Sequence, residues 1–148
     1  MSHPSAIILC VQDGSVDAER SQVTDHVRKS DPTGERTLLV LTKVDKAICD
    51  PVRLKQILDG KLFPLRALGY FAVVTGIDGA TDATIDQIQT HEAQVLKTSD
   101  LFRSGLLKSD QLGTRNMCET VSVTFWNLVK SSLKDELAKL NDHLFALG

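Results

Sequence analysis

The sequence predicts an α/β fold: three parallel strands with helices on both sides, followed by a long helical tail. Three observations predict it. Short apolar runs rich in Ile, Val and Leu recur at Ala6–Val11, Thr37–Thr42 and Tyr70–Thr75. Segments with the three- and four-residue apolar spacing of amphipathic helices separate them, and this alternation is the pattern of parallel βαβ units with right-handed crossovers. From about Thr114 onward no strand pattern returns, and the apolar spacing stays helical to the end.

Ala6-Ile7-Ile8-Leu9-Cys10-Val11 is apolar at successive positions, as expected of a strand buried on both faces. Ser15 is placed to cap a helix whose first turn carries Asp17 and Glu19 against the positive end of the helix dipole. Val16, Val23 and Val27 share one face of that helix, Arg28 and Lys29 close it, and Asp31-Pro32-Thr33-Gly34 makes the turn. Thr37-Leu38-Leu39-Val40-Leu41-Thr42 is the second buried strand. Asp50 as N-cap and Pro51 at the first helical position open the next helix, with Leu54, Ile57 and Leu58 inward and Gly60 near its end. The third strand, Tyr70 to Thr75, is broken by Gly76. A helix follows from about Thr84 to Lys97, with Ile85, Ile88, Val95 and Leu96 as its apolar positions.

Residues 99–113 contain Gly105 and Gly113 and form the expected boundary between a unit at 1–98 and a helical extension at 99–148. In the extension Trp126, Val129, Leu133, Leu137, Leu140, Leu144 and Leu147 recur at helical steps, a stripe expected to pack on the core or on a partner helix.

Composition excludes several classes of function. Seventeen Lys and Arg against nineteen Asp and Glu give a formal charge of -2, which supplies no general attraction to nucleic acid or anionic lipid. No apolar run reaches the roughly 18 residues of a membrane span. The first residues, Met-Ser-His-Pro-Ser, lack the basic region and cleavage site of a signal peptide. Cys10, Cys49 and Cys118 have no zinc spacing and read as free thiols, and the four histidines are equally scattered.

The residues that carry chemistry are Thr42-Lys43-Val44-Asp45, directly after the second strand. In an open parallel sheet, ligands bind outside the carboxyl ends of the strands. A carboxylate at Asp45 can accept both the ring N–H and the amino group of guanine, a donor pair that adenine lacks. The Lys43 stem can lie along the base. Val74-Thr75-Gly76 ends the neighbouring strand at the same edge, and its small residues allow a second wall for a planar ring. No G-x-x-x-x-G-K-[ST] occurs in the sequence, so no phosphate-cradling loop is expected. Asp31-Pro32-Thr33-Gly34 has the form D-x-x-G but precedes a strand, at the wrong edge of the sheet, and reads as a turn.

On these residues the chain resembles the C-terminal half of a dynamin-type GTPase domain, a partial sheet of the P-loop-GTPase type. Ala6 to Arg20 resembles its fourth strand and following helix, and Thr37 to Asp45 its fifth strand and guanine-specificity motif. Gly60 to Gly76 is most similar to the optic-atrophy branch of the mitochondrial inner membrane. Leu107-Lys108, Thr114-Arg115-Asn116 and Phe125-Trp126 continue the likeness. The resemblance implies that Lys43 and Asp45 read guanine, that Thr42 orients their loop, and that Thr75, with Gly76, forms the second base-contacting segment. It also implies GTP hydrolysis with Mg²⁺, dimerisation across the nucleotide face, and remodelling and fusion of mitochondrial inner membranes, with the membrane engaged only by parts outside this chain. Two departures accompany it. Residues 46–50 form a shorter loop than in that branch, and the phosphate loop and switch regions are missing, so the chain reads as a fragment that needs the remainder of the GTPase domain. The rival expectation is a non-catalytic interaction segment whose helical tail docks on a partner.

Overall fold

The computed structural model describes residues 6–14, 22–46, 51–61, 65–99, 103, 105 and 107–148. Strands β1 (Ile8–Asp13), β2 (Thr37–Thr42) and β3 (Gly69–Ala72) form one parallel sheet in the order β1-β2-β3. Ile8 pairs with Thr37 and Asp13 with Thr42, while Leu38 to Leu41 pair with Gly69 to Ala72. Helices α1 (Gln22–Ser30), α2 (Pro51–Leu58) and α3 (Ile85–Thr98) alternate with the strands. A single 3-10 turn (Ser109–Gln111) leads into α4 (Thr114–Leu147), which at 34 residues is about 51 Å long. The α/β architecture with a long helical tail is the one the sequence predicts.

β2 is the centre of the molecule. Its side chains alternate between two apolar layers, because successive residues of a strand point to opposite faces. Leu39 and Leu41 join Ile8, Cys10, Ala72 and Val74 under α1 and α2, which contribute Val27, Leu54, Ile57 and Leu58. Leu38 and Val40 join Phe71 and Val73 on the opposite face, where Met117 and Val121 from the start of α4 pack against them. Each fully buried side chain of this size contributes about 1.5–3 kcal/mol relative to exposure.

Four local expectations are corrected. β1 is not buried on both faces: Leu9 and Val11 are 44% and 51% exposed, since α4 covers the sheet over β2 and β3 and nothing among the described residues covers that face of β1. β3 ends at Ala72 instead of Thr75, because the Val74 N–H donates to Glu92 Oε1 at 3.0 Å. In α1, Thr24 and not Val23 accompanies Val27 inward. Ile85 opens α3 but is 73% exposed, and Thr84 serves as its N-cap in a reciprocal capping box with Gln87. Ser15, Val16 and Asp50, expected at helix starts, lie outside the described residues.

Asp31-Pro32-Thr33-Gly34 is a turn at the amino edge, as expected. The Asp31 carboxylate is buried and accepts from the Thr37 hydroxyl (2.6 Å), the Arg36 backbone N–H (3.1 Å) and the Thr33 hydroxyl (3.4 Å). Gly34 has φ 72°, and a Cβ there would meet the Arg66 carbonyl oxygen at 2.3 Å, so only glycine fits. Opposite this edge, Gly113 N–H donates to the Ala72 carbonyl at 2.9 Å and fixes where α4 begins.

The stripe along the tail does not pack on the core. Trp126, Leu133, Leu137, Leu140 and Leu144 are 58–61% exposed, because α4 has run past the sheet before it reaches them. No helix among the described residues is long and apolar enough to cross a membrane.

Candidate functional site

The carboxyl ends of β2 and β3 carry every site residue that the sequence predicts. β2 ends at Thr42, whose hydroxyl donates to the Gln12 carbonyl at 3.2 Å and whose own carbonyl accepts from the Gly14 N–H at 2.7 Å. Thr42 is therefore held by the end of β1. Lys43 adopts φ 53°, the left-handed region that a side chain rarely enters. That conformation reverses the chain into a tight turn, closed by the Lys46 N–H donating to the Lys43 carbonyl at 3.0 Å.

Val44 anchors the turn. It is 1% exposed and joins the apolar layer with Leu41 and Val74. With Val44 pointing in, Lys43, Asp45 and Lys46 all face solvent at the strand end. The third residue of the tetrapeptide, for which sequence reasoning assigned no role, is thus what presents the others.

Two carboxylates, one at the end of β1 and one in the turn after β3, bracket the turn. Lys43 Nζ lies 3.0 Å from Asp13 Oδ2, on the residue paired with Thr42 in the sheet. Lys46 Nζ donates to Asp78 Oδ1, from the turn Ile77–Ala80 that follows β3. That hydrogen bond and the attraction of Asp78 raise the Lys46 ammonium above the ordinary lysine range, with smaller contributions from Asp45 and Asp13. Asp45 itself makes no hydrogen bond or ion pair among the described residues.

Thr75 and Gly76 lie at the end of the neighbouring segment, both exposed, and Gly76 takes φ 89°. The Lys46–Asp78 pair ties their loop to the loop of Asp45. Asp13 and Asp78 were missed by sequence reasoning, although Asp13 ends β1 and Asp78 follows β3 at the same carboxyl edge, the positional signal that singled out Asp45. An exposed carboxylate with open oxygens at such an edge can accept two parallel N–H donors.

No three His, Cys, Asp or Glu side chains converge into a metal site among the described residues, so those residues do not fit Mg²⁺. A groove of about 850 Å³ between α3 and α4, lined by Leu96, Leu112, Cys118 and Val123, contains none of the predicted residues.

No family model matches the chain. A Danio rerio protein named dynamin-like GTPase OPA1, mitochondrial, is 51% identical over 139 residues, 92% of this chain. The Homo sapiens protein of the same name is 50% identical over the same length. By sequence, the chain is similar to one stretch of the dynamin-like GTPases. Dynamin-related protein DNM1 of Saccharomyces cerevisiae extends the relationship, at 31% identity over 141 residues and 93% of the chain. The dynamin-like match is partial from the other side: the chain spans 14% of the length of the OPA1 proteins and 18% of DNM1.

Proposed function

We propose that this chain supplies the guanine-reading half of the nucleotide site in a dynamin-like GTPase. The observation that carries the reading is the turn after β2, in which buried Val44 leaves the open carboxylate of Asp45 facing out beside Lys43. Asp45 accepts the two N–H donors of guanine, Lys43 lies along the base, Thr42 fixes the loop to β1, and Thr75 and Gly76 form the second wall. Units 1–98 and 99–148 act as the end of the GTPase domain and its helical extension. In the whole protein this half-site works with the remainder of the GTPase domain, which supplies the Mg²⁺ and phosphate contacts for GTP hydrolysis. The mitochondrial names of the relatives support a mitochondrial location. By family resemblance the cycle serves inner-membrane remodelling and fusion, with two copies meeting across the nucleotide face.

Calorimetric titration with GMP and XMP tests the assignment. Asp45→Asn should weaken GMP binding by about 1.5–3 kcal/mol, the range for hydrogen bonds to a charged group, and turn preference toward XMP, since an amide donates where the carboxylate accepted. Unchanged GMP affinity removes Asp45 from the site.

A second reading, a non-catalytic interaction segment, is favoured by the exposed stripe of Trp126, Leu133 and Leu137 on α4. Partner-dependent folding without any response to guanine nucleotides would select it.

A further inference from the structure

We infer that Asp13 is a positioning residue for base selectivity: it withdraws the Lys43 ammonium from Asp45 and so keeps the Asp45 carboxylate open. The inference rests on the guanine reading of Asp45 and extends it to a residue on a different strand.

The difficulty it resolves lies in the tetrapeptide itself. Lys43 is two residues from Asp45 and Lys46 is adjacent, so two ammonium groups share a turn with the one carboxylate that must meet the base. Opposite charges this close attract one another, more strongly at a protein surface than in bulk water. A lysine left loose in this turn would therefore occupy Asp45, and guanine would have to displace it. A neutral ring N–H and amino group compete poorly with an ammonium.

The structure gives each lysine another carboxylate. Lys43 Nζ is 3.0 Å from Asp13 Oδ2, and Lys46 Nζ is bound to Asp78 Oδ1. Asp13 is the better fixed of the two acids, 34% exposed against 78% for Asp78. It also sits on the sheet, as the ladder partner of Thr42. The left-handed backbone at Lys43 reverses the chain and returns its side chain to β1, where Asp13 is. The outcome is visible at Asp45, which keeps no hydrogen bond or ion pair among the described residues. Three acids thus have two tasks: Asp13 and Asp78 hold cations, and Asp45 stays open for the base.

The test is an NMR titration of the full 148-residue chain with GMP, with XMP and AMP as comparators. Asp13→Asn should weaken GMP binding about fivefold, equivalent to ~1 kcal/mol at 1.4 kcal/mol per tenfold, while amide shifts outside residues 12–14 and 42–46 stay in place. Asp13→Glu, which keeps the carboxylate, should restore most of the affinity. In a Lys43→Ala background Asp13→Asn should have no further effect, because Asp13 acts through Lys43. A contact between the Lys43 ε protons and the Asp45 β protons should appear in Asp13→Asn and be absent from the parent chain. Unchanged GMP affinity in Asp13→Asn, or an equal loss with and without Lys43, overturns the inference and leaves the guanine reading standing. A parent chain that does not respond to GMP removes the guanine reading, and this inference with it.

Discussion

Asp31 shows how one side chain organises an edge of this fold. Burial alone would raise its carboxyl. The hydroxyl of Thr37, the backbone N–H groups of Arg36 and Glu35 and the Arg36 charge outweigh burial and hold it below the usual carboxylate range. A carboxyl whose folded value is depressed contributes stability above its unfolded value of about 3.9, and that stability is lost as pH falls through the folded value. Thermal melts should therefore weaken on acidification below about pH 4. Asp31→Asn should lose about 1.5–3 kcal/mol at neutral pH and show a shallower acid dependence. An unchanged melting temperature at pH 7 would mean that the turn is held by backbone alone. Asp45 is the contrasting residue, with the same side chain, exposed and without a hydrogen bond among the described residues. That difference separates a structural acid from the proposed site acid, and the sequence marks it only by position: Asp31 precedes a strand and Asp45 follows one.

Among the elements, α3, α4 and the segment just after β3 meet on Glu92. This buried carboxylate accepts from the Val74 N–H at 3.0 Å, from the Thr114 N–H at 3.1 and 3.0 Å, and from the Thr114 hydroxyl at 2.6 Å. It satisfies a donor at the N-terminus of α4, where a negative charge is favoured by the helix dipole. Glu92→Ala should cost about 3 kcal/mol and speed hydrogen exchange at the Val74 and Thr114 amides ahead of those in β2. Uniform acceleration across the sheet would show that the three elements do not depend on this group. Such a contact is not legible in a sequence, since Val74, Glu92 and Thr114 are far apart along the chain and glutamate in a helix is ordinarily solvated. What is legible is short-range pattern. The run Thr37–Thr42, the Leu54, Ile57 and Leu58 spacing and the start of α4 at Thr114 all follow from local periodicity. β1 defeated the same logic. Its continuous apolar run suggests two covered faces, and which face is covered depends on where α4 crosses the sheet. The candidate site divides the same way: Thr42, Lys43 and Asp45 are picked out by strand order, whereas Asp13 and Asp78 enter only through ion pairs with Lys43 and Lys46 across the strand ends.

At the scale of the whole molecule, two apolar surfaces stand exposed among the described residues. Leu9 and Val11 line an uncovered face of β1, which among the described residues pairs with β2 alone, and the stripe from Trp126 to Leu147 runs along α4. An apolar strand at the edge of a sheet is a template for another chain, and β1 has no proline, and no charge before Asp13, to blunt it. The chain should self-associate as its concentration rises, read by light scattering, and Leu9→Lys should reduce the association. A monomer at high concentration with a cooperative melt would show that this architecture is self-sufficient. The account's central claim is that the carboxyl edge of this sheet reads guanine. Its most direct test is a map of backbone amide shifts on adding GMP and, separately, AMP to the full chain. The account predicts that GMP moves the amides of Thr42, Lys43, Asp45, Thr75 and Gly76 and that AMP leaves them in place. Equal responses to both bases, or GMP shifts confined to the α3–α4 groove, would contradict it.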